Sequence, residues 1–352
     1  MGGDWWGGVM RVLAVMTVKN EGSFLLDWLA HHQACGITDF LVFSNDCTDG
    51  TDLMLDRLQE MGCLTHVRNE GPHDEGPQWA ALKAADRHPL VAAADWVLFL
   101  DVDEFVNIHV GNRTVQALLA ALPRATAIPL TWRLFGNAGV VGYLDQPVTA
   151  QFTRAAPAVL NWPWRAMLFK TLFRNDGSYG KLGVHRPRAP DQGRMAAQEW
   201  VSGSGQVLGP EFQTGRIFSD LGRDHHQLVQ LNHYALGSME GYLVKADRGR
   251  ANRDAAIADL GYWVERNFCD VEDATALQLD SGGLRDGLRA DPVLGPLHDA
   301  AVVWRHQRFA LLMQDEPWRA VFGRLLMCAP TRVLTADQAR LVWAHGVATR
   351  RD

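Results

Sequence analysis

The first 105 residues alternate between short apolar runs and segments with helical periodicity. That alternation constrains the fold more than any other feature of the chain. Residues 11–18 (RVLAVMTV), 39–44 (DFLVFS), 63–67 (CLTHV) and 96–100 (WVLFL) each read as a buried strand. Between the first two, Phe24, Leu25, Trp28, Leu29 and His32 recur at helical spacing, with Ser23 as the expected cap and Gly36 as the stop. Residues 51–60 and 78–87 supply a second and a third helix. Strands joined by crossover helices are parallel, so the order β-α-β-α-β-α-β predicts an α/β fold with a doubly wound, mostly parallel sheet.

The pattern continues less regularly. A short helix over 114–122 stops at Pro123, and strands are expected over 126–134, 166–174 and 231–234. Residues 179–230 carry few regular patterns, as functional loops often do. Ser238 caps a helix predicted to run from Met239 to about residue 259. The rest reads as helical, broken by Pro292, Pro296, Pro317 and Pro330. The expected division is a leader over 1–10, an α/β domain over 11–253 and a helical C-terminal region over 254–352.

Composition narrows the function classes. With 352 residues, 47% hydrophobic and 21% charged, the chain reads as an ordinary globular protein. A net charge of −6 gives no general attraction to nucleic acid or to anionic lipid. No apolar run approaches the ~18 residues of a membrane span, and the start has no secretory pattern. The five cysteines contain no C-x-x-C, which suits unpaired thiols rather than a zinc site. No glycine-rich phosphate loop follows any strand, which argues against a dinucleotide fold or a P-loop enzyme.

The fourth strand ends in Asp101-Val102-Asp103-Glu104-Phe105. In open α/β sheets, ligands gather outside the carboxyl ends of the strands. Two carboxylates two residues apart repel unless they share a proton or hold a cation, and a hard divalent ion with phosphate oxygens would suit them. A plain acidic loop is the alternative.

Taken with this motif, Val18-Lys19-Asn20-Glu21 after the first strand and Ser44-Asn45-Asp46-Cys47-Thr48-Asp49-Gly50-Thr51 after the second resemble the GT-A-fold glycosyltransferases of family 2 type. The likeness is greater to a bacterial branch related to family 92. Trp132-Arg133-Leu134-Phe135-Gly136 is similar to its W-x-x-F-G turn, Lys170 to Phe173 to its K-x-x-F strand, and Asn232-His233-Tyr234 with Ser238, Glu240, Lys245 and Arg248 to its later segment. Gly237 departs from the pattern, standing where that segment has a lysine.

The resemblance implies a metal-dependent, inverting enzyme that moves a sugar from a nucleotide diphosphate donor, UDP-linked first, to a glycan or lipid-linked acceptor. It implies Mn²⁺ or Mg²⁺ held by Asp101, Asp103 and His233, with His185 as second choice. Asn20, Glu21, Asn45, Asp46, Gln78, Asp101, Lys245 and Arg248 are the expected donor-binding residues. For Asp49 to Thr51 a capping turn, and for Lys83 a solvated helix face, are the stronger readings. The catalytic base is unassigned, with Glu104, Asp145 and Asp224 as weak candidates. A cytoplasmic location is expected, with peripheral contact at the inner face of the membrane as a variant. A sugar-phosphate nucleotidyltransferase and a non-catalytic nucleotide- or glycan-binding protein on the same scaffold are the rival readings.

Overall fold

The computed structural model describes residues 10–248 and 260–348. Its strands are β1 (Val12–Val18), β2 (Asp39–Ser44), β3 (Thr65–Arg68), β4 (Trp96–Leu100), β5 (Glu104–Ile108), β6 (Ala127–Leu134), β7 (Arg154–Ala155), β8 (Phe169–Arg174), β9 (Tyr179–Lys181), β10 (Arg188–Pro190), β11 (Val229–His233) and β12 (Val271–Glu272). Eight of them form one sheet in the order β3-β2-β1-β4-β8-β6-β11-β5. The β1–β2, β2–β3, β1–β4 and β6–β11 pairings are parallel, while β8 and β5 run antiparallel to their neighbours. The expected doubly wound, mostly parallel sheet is therefore the architecture of the chain.

Both faces of the sheet are covered, which is why the parallel strands read as unbroken apolar runs. Alternate residues of a strand point to opposite faces. Val12, Ala14 and Met16 pack with Leu25, Trp28 and Leu29 of α1 (Gly22–Ala34) and Met54, Leu55 and Leu58 of α2 (Thr51–Glu60). Leu13 and Val15 pack on the other side, with Ala81, Leu82 and Ala85 of α3 (Pro77–Ala85). Four short helices follow, α4 (Pro89–Ala93), α5 (Val115–Ala121), α6 (Val148–Gln151) and α7 (Pro210–Thr214), and then α8 (Met239–Asp247). The C-terminal helices are α9 (Leu260–Val264), α10 (Gly282–Arg289), α11 (Leu294–Leu312), α12 (Glu316–Met327) and α13 (Ala336–Ala348). Helices α10 and α11 lie against α1, and α11 also packs on α2 and α8. No helix among the described residues is long and apolar enough to cross a membrane.

One feature of the sheet shapes the site. Strands β4 and β5 are joined by only Asp101 to Asp103, yet β8, β6 and β11 lie between them in the sheet. In a flat sheet, four strand spacings would separate them by about 19 Å. The four residue steps from Leu100 to Glu104 reach at most about 14 Å. The sheet must therefore curl so that its far edge returns toward β4. Trp28 fastens the bridge from below, its indole N–H lying 3.2 Å from the Asp101 carbonyl and 3.1 Å from that of Glu104.

Several local expectations are corrected. Strand β5 was not foreseen, because its first residues read as an acidic loop. Ser23 does not cap α1; Glu21 occupies the cap position and makes no side-chain capping bond, while Ser23 lies buried in the first turn. Gly50, left-handed at φ 87°, caps α2. The Asp49 carboxylate instead accepts from the Thr51 amide at 2.9 Å and from the Gly22 amide at 3.0 Å, tying the β2–α2 turn to the start of α1. Pro296 and Pro317 sit within the first turns of α11 and α12 rather than breaking helices, since the first turn has amides to spare. The strand expected over 166–174 begins with a 3₁₀ turn, Trp164–Met167. Ser238 caps α8 as expected, accepting from the Gly241 amide at 3.0 Å. The predicted continuation of α8 and most of the leader, with Arg250 and Arg253, lie outside the described residues.

Candidate active site

The bridge between β4 and β5 carries two carboxylates with different partners. Asp103 meets His233 at the end of β11, with Nε2 3.6 Å from Oδ2, and the Lys245 ammonium from α8. Lys245 also donates to the Ala235 carbonyl at 2.8 Å, and the Tyr234 amide donates to the Asp103 carbonyl at 2.9 Å. Burial alone would raise the Asp103 carboxyl, but Lys245 and His233 outweigh it and hold it well below the usual range. Burial keeps His233 neutral, against the pull of Asp103. Its ring lies against Trp132, centroids 4.1 Å apart and planes tilted by 42°, and its Nδ1 is buried with no hydrogen-bond partner.

Asp101 turns away from this group. Its Oδ2 accepts from Lys170 Nζ at 2.8 Å. Lys170, on β8, is fully buried, lies 3.6 Å from Glu104 Oε2 and sits over the Phe99 ring at 4.8 Å. Glu104 is also fully buried. It accepts from the Trp132 indole at 2.6 Å and from the Asp101 amide at 2.9 Å. Burial pushes its carboxyl up to about 8, with Lys170 pulling the other way. The ammonium of Lys170 stays protonated because Asp101 and Glu104 more than offset its burial.

A second cationic group flanks Asp103. Glu21, at the cap position of α1, pairs with Arg248 just past α8 and lies 3.8 Å from Arg305 of α11. Arg248 donates to the Lys19 carbonyl at 2.6 Å. Between these groups lies a pocket lined by Glu21, Phe24, Asp103, Tyr143, Lys245 and Arg305, among others. Gly237, at the turn before α8, has φ 61°, a backbone that glycine adopts freely and lysine does not. The missing lysine is thus matched by the turn itself, and Lys245 supplies the ammonium at Asp103.

A model of glycosyltransferase family 92 matches residues 15–199, just over half of the chain. The chain belongs to glycosyltransferase family 92. A family 92 protein of Oryza sativa subsp. japonica is 25% identical over 156 residues, which are 42% of this chain and 25% of the relative. One of Ricinus communis is 27% identical over 144 residues, 39% of this chain and 25% of the relative. The family 92 chain described here therefore spans about a quarter of the length of these curated relatives. The structure of S. aureus TarS 1–349 in complex with UDP aligns over 84% of this chain and 89% of its own, at 15% identity and a TM-score of 0.33.

The other expected site residues of this family 92 chain fall into distinct places. Asn20 is committed to the β2–α2 loop, with its Oδ1 accepting from the Thr48 amide at 2.7 Å. Asn45 is buried, donating to the Val18 carbonyl at 3.1 Å and accepting from Asn69. Asp46 is exposed and left-handed at φ 44°, and accepts from the Gly71 amide at 3.2 Å. Gln78 lies in the first turn of α3. Lys83 is an exposed partner of Glu75. His185 is turned to the Phe169 carbonyl, with Nδ1 at 3.0 Å. The three base candidates differ in how far their carboxylates are occupied. Glu104 is enclosed as described. Asp145 is held by Arg289, Arg285 and His298. Asp224 accepts from the His226 amide at 2.8 Å.

Among the described residues, no three His, Cys, Asp or Glu side chains converge as a preformed metal cage. Asp103 and His233 do face one point. A hard ion at a phosphate site needs only one or two protein ligands, with phosphate and water supplying the rest. The neutral, half-satisfied His233 beside an ionised Asp103 fits such an ion. Asp101 is paired with Lys170, and His185 is anchored through Nδ1 at the Phe169 carbonyl, which leaves its Nε2 uncommitted. Lys170 and Arg305 were not assigned site roles from sequence. Lys170 had a signal in the K-x-x-F strand, whereas Arg305 had none.

Proposed function

We propose that this family 92 glycosyltransferase transfers a sugar, with inversion, from a UDP-linked donor to a hydroxyl of a glycan or lipid-linked acceptor, aided by Mn²⁺ or Mg²⁺. The observation that carries this reading is the convergence of Asp103, His233, Lys245 and Arg248 at the carboxyl ends of β1, β4 and β11. Asp103 and His233 would hold the ion. When bound, the ion would stabilise the charge that builds on the departing diphosphate. Lys245 and Arg248 bind diphosphate oxygens, a task suited to one mobile ammonium and one guanidinium fork. The exposed Asp46 edge at the end of β2 is the place for ribose or base. Lys170 and Glu104 hold the bridge so that Asp103 keeps its position. Phosphate binding displaces Lys245 from Asp103, freeing that carboxylate for the ion.

The test is calorimetric titration of UDP and, separately, GDP, with and without Mn²⁺, on the wild type and Asp103→Ala. Metal-dependent binding of UDP over GDP, lost in the variant, is expected. Turnover on acceptor should then release UDP, not pyrophosphate. Absence of binding by either nucleotide under every metal condition would remove the donor-site reading.

A further inference from the structure

We infer that Arg305 is a positioning residue for the donor diphosphate, acting through Glu21 on Arg248. It comes from α11, more than a hundred residues beyond the segment that matches the family model. The inference rests on the donor-site reading above and extends it to the C-terminal helices.

Arg305 is 5% exposed. One Nη donates to the Gly241 carbonyl at 3.0 Å, and the guanidinium lies over the rings of Phe24 at 4.5 Å and Tyr143 at 5.2 Å. Its Nε is buried without a partner. Burying a charge is costly unless an opposite charge faces it. The carboxylate that faces Arg305 is Glu21, at 3.8 Å. Glu21 also pairs with Arg248. One buried carboxylate thus serves two guanidiniums, and the trio carries a surplus of one positive charge.

The surplus has a direction. The side chain of Arg305, in the pocket wall, is only 6% exposed, whereas that of Arg248 is 18% exposed and more open to an incoming anion. Lys245 is already matched by Asp103. Arg305 therefore draws part of the Glu21 charge away from Arg248 and leaves Arg248 able to attract an anion. Without Arg305, Glu21 would neutralise Arg248, and phosphate would be left with Lys245 alone among these cations.

Charge counting gives a test that a merely structural role would fail. The trio carries +1 in the wild type, 0 in Arg305→Met, +2 in Glu21→Gln and +1 again in the double variant. The probes are UDP and uridine, titrated calorimetrically with Mn²⁺ present. Arg305→Met should weaken UDP about tenfold and leave uridine unchanged. Adding Glu21→Gln to it should restore UDP affinity to within about threefold of the wild type. Arg305→Lys, which keeps the charge, should bind within about threefold as well. If Arg305→Met does not fold, Glu21→Gln alone decides, since it should tighten UDP binding. Unchanged UDP affinity in Arg305→Met, a double variant weaker than the single, or weaker binding by Glu21→Gln would overturn the inference while leaving the donor site standing. No UDP binding by the wild type would remove both.

Discussion

Asp103 and Asp145 are close to chemical twins. Asp103 meets a histidine and a lysine, and Asp145 meets a histidine and two arginines. Their side chains are 19% and 20% exposed, so exposure does not separate them. Both carboxyls are held below the usual range by their cations, against burial. The difference lies in where the partners come from. The partners of Asp103 stand at the end of β11 and on α8, beside a pocket at the mouth of the sheet. Those of Asp145 all belong to α10 and α11, and the cluster clamps these helices to the segment before α6. A perturbed carboxylate among cations marks a functional site only when the fold leaves it facing space.

The comparison breaks most sharply if the two aspartates are exchanged in effect. Asp103→Asn should lower transfer activity roughly 10²–10³-fold with little loss of stability. Asp145→Asn should cost roughly 2–4 kcal/mol in chemical denaturation while activity per folded molecule stays within about threefold. The reverse pattern would place the site at the wrong aspartate. Lys170→Met tests an intermediate case, since Lys170 is as buried as a core residue yet touches the bridge. It should lower both melting temperature and turnover, the latter roughly 10–100-fold, because Asp101 loses its counter-charge and Glu104 a close polar neighbour. A melting shift with unchanged kinetics would assign Lys170 to the clamp class.

The smallest expected effect concerns Asp27, which lies beside the Asp145 cluster and accepts from the Val148 amide at 2.8 Å. Burial raises its carboxyl to about 6, above the value of an unfolded aspartate. The folded state therefore binds the proton more tightly, and ionisation destabilises the fold as pH rises from about 4 to about 6. Asp27→Asn should gain roughly 1–3 kcal/mol at pH 7, a gain that disappears below about pH 4. Denaturant midpoints measured at both pH values check it, and an equal gain at both would refute the assigned cause.

The parallel half of the sheet was legible because strands covered on both faces carry uninterrupted apolar runs. The strand β5 was not, because Glu104 opens it and is fully buried, and residue type gives no warning of a buried carboxylate. Lys170 is the same case in reverse: its motif was visible, but its burial and its pairing with Asp101 depend on β8 lying beside β4. Asp103, His233 and Lys245 were legible through the order of motifs, although they are far apart in sequence. The pairing of Asp101 with Lys170 was not legible, because it depends on β8 lying beside β4. Arg305 could not be read at all, since nothing local in α11 distinguishes it from an exposed arginine.

The short link between β4 and β5 behaves as the string of a bow. The curvature of the sheet and the separation of Asp101 from Asp103 are then one variable, not two. Lengthening the string would relax the arc and let the two carboxylates drift from Lys170 and His233 together. The acidic motif is in this sense a structural tie whose tension sets the shape of the mouth it lines.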